Sequence, residues 1–225
     1  MVDLTSDSAC IPIAIACEQG LLHGEMTLLA DSQGFIVLPQ ITMAANPADR
    51  WLTKQFRNAG FSTLGVELLA PREEQFLDIH NNVHLLARRL VGFLELIKHR
   101  LLMGEIREQP IGLFASNAVS PVAVQVAALR DRDIAAIVCH EGLIDLAGAL
   151  YLRSLTSPLL LLMEEESTQH AISNRHALNK MACPTEFVTL SSENDHGMIR
   201  NSTLEACSNE AIRWFRRYLG ERPCQ

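Results

Sequence analysis

Short apolar runs alternate with amphipathic stretches along most of this chain. The runs that predict strands are 11–17, 25–30, 35–39, 61–69, 111–114, 134–139, 158–163 and 185–190. Apolar positions spaced by three and four predict helices from Asn46 to Gly60, from Leu85 to Ile97, and near 119–129, 145–152, 168–181 and 203–219. This alternation of buried strands and helices predicts an α/β fold. Its mostly parallel sheet would be covered by helices on both faces, which gives three layers.

The chain shows no internal repeat, low-complexity tract or interdomain linker. Its 225 residues can bury a large core and are a normal length for one α/β domain. We therefore predict a single domain over 1–225. It opens with a β-hairpin in which Gly20 and Gly24 join the first two strands.

The composition is that of a globular protein, with 48% apolar and 20% charged residues. A formal net charge of −7 argues against a nucleic-acid surface, which needs clustered Lys and Arg. The first ten residues, MVDLTSDSAC, contain no basic segment followed by an apolar one, so we expect no secretory signal. No apolar run is long enough to span a membrane. Because the six cysteines form no C-x-x-C pair, we expect a reduced, cytoplasmic protein whose cysteines are mostly buried.

The stretch 111–119 carries the main chemical signal. An apolar strand, Ile111–Phe114, runs into Ala115-Ser116-Asn117-Ala118-Val119 and then into helical sequence. In α/β-hydrolases this strand–turn–helix setting holds the nucleophile elbow G-x-S-x-G. Here both glycines are replaced, and Asn117 occupies the nucleophile's position.

Four further segments carry a resemblance to a known family: LLARRL at 85–90, IGLF at 111–114, DLAG at 145–148 and SPLLLL at 157–162. In these segments, and in their order, the chain resembles the α/β-hydrolase superfamily, particularly small dienelactone-hydrolase-like proteins. The resemblance covers nearly the whole chain and implies the α/β-hydrolase fold. A shared fold does not by itself imply shared chemistry.

The resemblance also implies positions for catalytic groups. The small-residue pair that shapes the oxyanion side of such pockets falls on Pro39-Gln40, so Gln40 is assigned to substrate contact. The general base falls on His196, in a polar loop. The acid loop follows the strand at 158–163, and there Glu166 is the first candidate partner of His196 and Glu165 the second.

Asn117 and Ser116 are the two alternatives at the elbow. A neutral amide has no ionisable attacking group, but Asn tolerates the left-handed backbone that an elbow needs. A shift of one residue would place Ser116 at the tip as an alternative nucleophile. That shift would put Phe114 where the turn favours glycine.

Other pairs of reactive residues give weaker signals. Cys139 and His140 adjoin on one strand, so their side chains are expected on opposite faces of the sheet. His80 and His84 are four residues apart but have no third ligand at a recognisable spacing. No glycine-rich phosphate loop occurs, so we predict neither a metal nor a cofactor.

Two functional hypotheses follow, and whether the chain is an enzyme stays open between them. In the first, it is a catalytically degenerate hydrolase-like protein, a pseudoenzyme that serves in binding or assembly. Its partner is then a small molecule, a second copy or another protein, not nucleic acid or a membrane. In the second, it hydrolyses a carboxylic ester or lactone with Ser116, His196 and Glu166.

Overall fold

One sheet organises the described part of the molecule. The computed structural model describes residues 10–41, 47–164, 168–190 and 199–220. Among them, eight strands pair in the order β1-β2-β4-β3-β5-β6-β7-β8. Their bounds are β1 Cys10–Cys17, β2 Gly20–Thr27, β3 Phe35–Gln40, β4 Ser62–Glu67, β5 Ile111–Ser116, β6 Ile134–His140, β7 Leu159–Glu164 and β8 Thr185–Leu190. The strands from β3 to β8 pair in parallel, whereas β1 and β2 form an antiparallel hairpin joined to β4.

Helices cover both faces of this sheet. Their bounds are α1 Pro47–Asn58, α2 Leu77–His80, α3 Val83–Leu102, α4 Ser120–Leu129, α5 Ala149–Ser154, α6 Thr168–Leu178 and α7 Ile199–Leu219. Helices α3, α4, α5 and α6 bury one core against the sheet, on what we call the α4 face. Helices α1 and α7 bury the other core, on the α7 face. The predicted three-layer α/β architecture is confirmed.

Alternation along the central strands distributes side chains between the two cores. On β5, Leu113 and Ala115 belong to the α4 face, whereas Phe114 belongs to the α7 face. The ring of Phe114 packs against Phe56, with ring centroids 5.2 Å apart. A strand that is buried on both faces consists of a continuous run of apolar residues. Such runs are the reason why these strands could be predicted from the sequence.

The opening hairpin differs from its predicted bounds. The second strand is Gly20–Thr27 and not 25–30, so that prediction is wrong by several residues. Its register pairs Cys17 with Gly20 and Cys10 with Thr27, which leaves only a two-residue turn. Because Gly24 lies inside the strand, it does not join the strands as expected. A Cβ at Gly24 would lie 2.9 Å from the carbonyl oxygen of Gly65 on β4, so this glycine permits close strand packing.

Two other boundaries shift in ways that affect the candidate site. Strand β5 runs two residues beyond the predicted 111–114, because Ala115 and Ser116 pair with Cys139 and His140 on β6. The last helix begins at Ile199, four residues before the predicted 203. In the described residues no helix is long and apolar enough to cross a membrane.

Candidate functional site

Polar residues end four neighbouring strands at one edge of the sheet. They are Gln40 on β3, Ser116 on β5, His140 on β6 and Glu164 on β7. All four continue the alternation that places Leu38, Phe114, Val138 and Leu162 on the α7 face. The carboxyl edge of a parallel sheet is where open α/β folds bind ligands. This edge is therefore the candidate site.

The elbow itself is formed at Asn117. Its φ of 54° is left-handed, as expected for the tip, and the residue is exposed. Ser116 keeps an extended backbone, with φ −125° and ψ 146°. The structure thus has the unshifted register, in which Ser116 is the last strand residue and Asn117 occupies the turn.

The elbow segment 115–119 contains no glycine. A glycine on the loop after β6 provides the space that its backbone needs. Gly142, with φ 85°, follows β6, and a Cβ built on it would lie 2.1 Å from the carbonyl oxygen of Asn117. Such a distance is far below any van der Waals contact, so only glycine fits there without a shift of the elbow. Glu141, beside it, also has a positive φ, of 58°. Sequence reasoning missed Gly142, because its neighbour is 25 positions away along the chain.

The α4 side of the elbow is closed by hydrogen bonds. Ser120 is buried, and its hydroxyl donates to the carbonyl of Glu141 at 2.7 Å. Asn174, also buried, donates its amide to the carbonyl of Gly142 at 2.8 Å and accepts from the backbone N–H of Ile144 at 3.0 Å. These bonds make Ser120 a structural residue that joins α4 to the loop after β6.

Cys139 belongs to the same closed side. Its Sγ lies 3.7 Å from the carbonyl oxygen of Ser120, and burial raises the pKa of the thiol to about 12. The side chain is therefore a buried neutral thiol on the face opposite His140. This agrees with the expectation that Cys139 and His140 would not pair.

The α7 side of the elbow differs in that, among the described residues, one of its enclosed polar atoms has no hydrogen-bond partner. Ser116 and His140 are register partners on adjacent parallel strands and so project side by side. The Nε2 atom of His140 is fully enclosed and has no hydrogen-bond partner in the described structure. Burial lowers the pKa of His140, and this outweighs the opposing influence of Glu141. The imidazole is therefore neutral at neutral pH.

Carboxylates surround this pair at the edge. The Oε1 atom of Glu141 accepts a hydrogen bond from the backbone N–H of Glu164 at 2.5 Å, which joins the ends of β6 and β7. Glu164 also raises the pKa of Cys207 on α7, after burial the second cause of a value of about 12. The first residue of the acid loop thus faces α7. Glu165, Glu166 and His196 lie outside the described residues.

Gln40 ends β3 on the other side of the elbow. Its carbonyl accepts from Leu68 at 2.9 Å, and Leu68 in turn accepts from the guanidinium of Arg89 at 2.8 Å. Arg89 forms a buried ion pair with Glu73, at 2.7 Å, and this arginine keeps the pKa of the Glu73 carboxyl below its usual range. Arg89 of the LLARRL segment therefore fixes the connection after β4 beside Gln40.

The remaining candidates lie elsewhere or are already engaged. The Nε2 atom of His80 lies 3.0 Å from the carbonyl of Glu74, and Nδ1 of His84 lies 2.9 Å from the amide of Gln125. Within the described ranges, no group of three or more His, Cys, Asp or Glu residues could hold a metal ion. A groove of about 1290 Å³ lies at the opposite, amino edge of the sheet, between 107–111 and 131–135.

Comparison with solved structures identifies the fold. The dienelactone hydrolase of Anabaena variabilis matches with a TM-score of 0.81 and 22% identity, over 94% of this chain and 99% of that one. Carboxyl esterase 2 of the fungus Tuber melanosporum matches with a TM-score of 0.70 and 10% identity, over 97% and 89% of the two chains. A serine hydrolase homologue from Coxiella burnetii matches with a TM-score of 0.69 and 15% identity, over 90% and 96%.

No protein-family model and no curated protein matches the sequence. At these identities the structural likeness shows the fold alone. The chain has the α/β-hydrolase fold, of the dienelactone-hydrolase-like kind, as its sequence segments predicted. Its chemistry has to be inferred from its own residues.

Proposed function

We propose that this chain is a non-hydrolytic member of the α/β-hydrolase fold that uses its carboxyl edge to bind a small molecule. One observation carries the proposal: the exposed elbow tip is Asn117, in the left-handed conformation. The position at which this fold presents a nucleophile therefore presents a neutral amide, which has no ionisable attacking group.

The size of the catalytic loss supports this proposal. Removing the nucleophile of a serine-protease triad lowers turnover by about 10⁶-fold, and the remaining rate comes from the oxyanion hole and binding. On the oxyanion side this chain carries Pro39-Gln40 in place of a small-residue pair. The chain is therefore altered at the nucleophile and on the oxyanion side, the two features from which most rate acceleration comes in this type of site.

The elbow nevertheless keeps a defined shape, which supports retention for binding. Ser120, Asn174 and Gly142 together hold Asn117 against the loop after β6. Clustered positive-φ residues other than glycine, such as Asn117 and Glu141, cost stability unless the surrounding contacts maintain them. A strained, well-supported turn at a ligand-binding edge is typical of a functional position.

Hydrolysis by Ser116 is the second candidate function. It is favoured by one observation, that the half-exposed Ser116 lies beside the neutral imidazole of His140. A neutral imidazole could accept the proton of an attacking hydroxyl. Against this, Ser116 lies on an extended strand end and not at the turn.

Labelling with a fluorophosphonate distinguishes the two functions. We expect the intact mass of the folded protein to stay unchanged under conditions that label a reference serine hydrolase completely. The Ser116→Ala variant should behave like the wild type, and neither should release 4-nitrophenol from 4-nitrophenyl acetate above the rate of a heat-unfolded sample. A stoichiometric adduct that maps to Ser116, with ester turnover lost in Ser116→Ala, would overturn the non-hydrolytic proposal.

A further inference from the structure

The pair formed by Ser116 and His140 contains an enclosed polar atom, Nε2 of His140, that has no hydrogen-bond partner among the described residues. On the opposite, α4 side of the elbow the buried polar side chains are engaged, Ser120 with the carbonyl of Glu141 and Asn174 with the carbonyl of Gly142. Buried polar groups in proteins are almost always hydrogen-bonded, and an exception in a ligand-binding region calls for a partner. The enclosed Nε2 atom of His140 is such an exception.

Register places a second hydrogen-bonding group beside this atom. Ser116 and His140 are Cα partners on adjacent parallel strands, which lie about 4.8 Å apart. Both side chains leave the sheet on the α7 face, above the apolar residues Phe114, Val138 and Leu162. One oxygen atom placed between two such groups can accept a hydrogen bond from each.

The main chain around the pair is held in place. The carbonyl of Glu141 accepts from Ser120, its N–H donates to Leu162 at 2.9 Å, and its carboxylate accepts from Glu164. His140 therefore sits between two fixed strand ends. The backbone of the pair is fixed, whereas the enclosed Nε2 atom becomes accessible to a ligand only when neighbouring side chains move.

The charges of this edge select the kind of ligand. Glu164 ends β7 on the same face of the sheet as the pair and contributes a carboxylate. Next to a neutral imidazole, this carboxylate disfavours an anion. The apolar residues beneath the pair favour a ligand with an apolar body.

We propose that Ser116 and His140 form a paired donor site for the carbonyl oxygen of an uncharged small molecule with an apolar body, such as an amide or ester. Ser116 donates from Oγ, and His140 donates from Nε2 in its Nε2–H tautomer. The half-exposed Ser116 is the side from which the ligand enters. This inference rests on the proposed binding function and names the ligand class of that site.

Two isosteric probes test the inference, namely 2-phenylacetamide, which is uncharged, and phenylacetate, which is its anionic counterpart. The long-range ¹H–¹⁵N spectrum of the ¹⁵N-labelled protein resolves the histidine ring nitrogens, and His140→Leu and His140→Gln assign those of His140. We expect 2-phenylacetamide to shift the Nε2 resonance saturably and to bind at least about tenfold more tightly than phenylacetate. The ring should stay in its Nε2–H form throughout the titration.

Variants then show whether the two side chains make the contact. Affinity for 2-phenylacetamide should fall about tenfold in His140→Leu and about fivefold in Ser116→Ala. His99→Leu, at an exposed position of α3 far along the helix from this edge, serves as the matched control and should bind like the wild type.

Three results would overturn the inference: no saturable Nε2 shift in the wild type, equal binding of the two probes, or unchanged affinity in both site variants. The wild-type titration stands even if a variant fails to fold. Failure of the proposed function has a different signature, because Ser116-dependent release of ammonia from 2-phenylacetamide would show hydrolysis. Ammonia release together with the Nε2 shift would support the paired contact and overturn only the non-hydrolytic proposal.

Discussion

The two sides of the elbow use similar side chains in opposite ways. On the α4 side, Ser120 and Cys139 are buried and engaged with backbone carbonyls. On the α7 side, Ser116 ends β5 and His140 ends β6, yet the enclosed Nε2 atom of His140 has no hydrogen-bond partner in the described structure. Each pair contains one serine and one residue of β6, so residue type does not explain the difference.

This comparison separates the polar groups that stabilise the fold from an enclosed polar group that has no hydrogen-bond partner in the described structure. Hydrogen bonds on the α4 side compensate for groups that the fold itself removes from water. A buried nitrogen without a partner on the α7 side costs stability and gives none in return. Measurements of stability should therefore separate the two sides, and the following three comparisons of variants are ordered from the largest expected effect to the smallest.

The close approach of Gly142 to Asn117 should be the most sensitive point on the closed side. In Gly142→Ala the new Cβ would lie 2.1 Å from the carbonyl oxygen of Asn117. The backbone at this position also has a positive φ, of 85°. We expect a loss of about 3 kcal/mol in the free energy of unfolding, from overpacking and backbone strain together. Urea denaturation followed by circular dichroism measures it.

Gly148→Ala is the matched control for that change. Gly148 has a similar φ of 97°, but a Cβ there would come no closer than 3.7 Å, to the ring of Tyr151. Only the backbone strain remains, so we expect a loss of about 1 kcal/mol. Equal losses in the two variants would show that the approach to Asn117 does not limit this position.

The two serines sharpen the comparison directly. Ser120→Ala leaves the carbonyl of Glu141 without its 2.7 Å donor in a buried position, and should cost about 1.5 kcal/mol. Ser116→Ala removes no bond that supports the fold and should change the free energy of unfolding by less than about 0.5 kcal/mol. Chemical denaturation of both variants under one set of conditions decides the order. A larger loss for Ser116→Ala would mean that the α7 side is structural as well.

The pH dependence of stability should report on His140. Because burial lowers the pKa of His140 in the folded state, the unfolded chain takes up the proton first as pH falls. Wild-type stability should therefore decrease below about pH 6.5, with a slope of at most about 1.4 kcal/mol per pH unit from this residue. Above that pH the two forms of the chain bind the same number of protons at this site, and the contribution disappears.

His140→Leu isolates this contribution. Between about pH 7.5 and about pH 5.5 the variant should lose about 1 kcal/mol less stability than the wild type. His140→Gln, which also cannot titrate, should show the same reduced slope. The carboxylate of Glu141 opposes the effect of burial, so parallel slopes in all three proteins would show that folding does not lower the pKa of His140.

Much of the secondary structure of this protein could be predicted from local sequence. The apolar runs predicted where the central strands lie along the chain, since strands buried on both faces must be continuously apolar. The departure of Ala115-Ser116-Asn117-Ala118-Val119 from G-x-S-x-G, and the tolerance of Asn for a left-handed backbone, predicted the conformation later found at the elbow. Propensity and pattern within a few residues carry this information, so one chain was enough to predict it.

Only the tertiary structure shows which residues of the candidate site are neighbours in space. The hairpin register moved the second strand to Gly20–Thr27, and pairing with β6 carried β5 on to Ser116. The partnership of Ser116 with His140 and the close fit of Gly142 to Asn117 join residues more than 20 positions apart. Contacts at such separations depend on strand order and register, which the hydrophobic pattern of a single strand does not encode. The sequence by itself therefore determined the fold and the presence of Asn117 at the elbow, whereas the tertiary structure decided which polar groups hold that fold and which have no hydrogen-bond partner among the described residues.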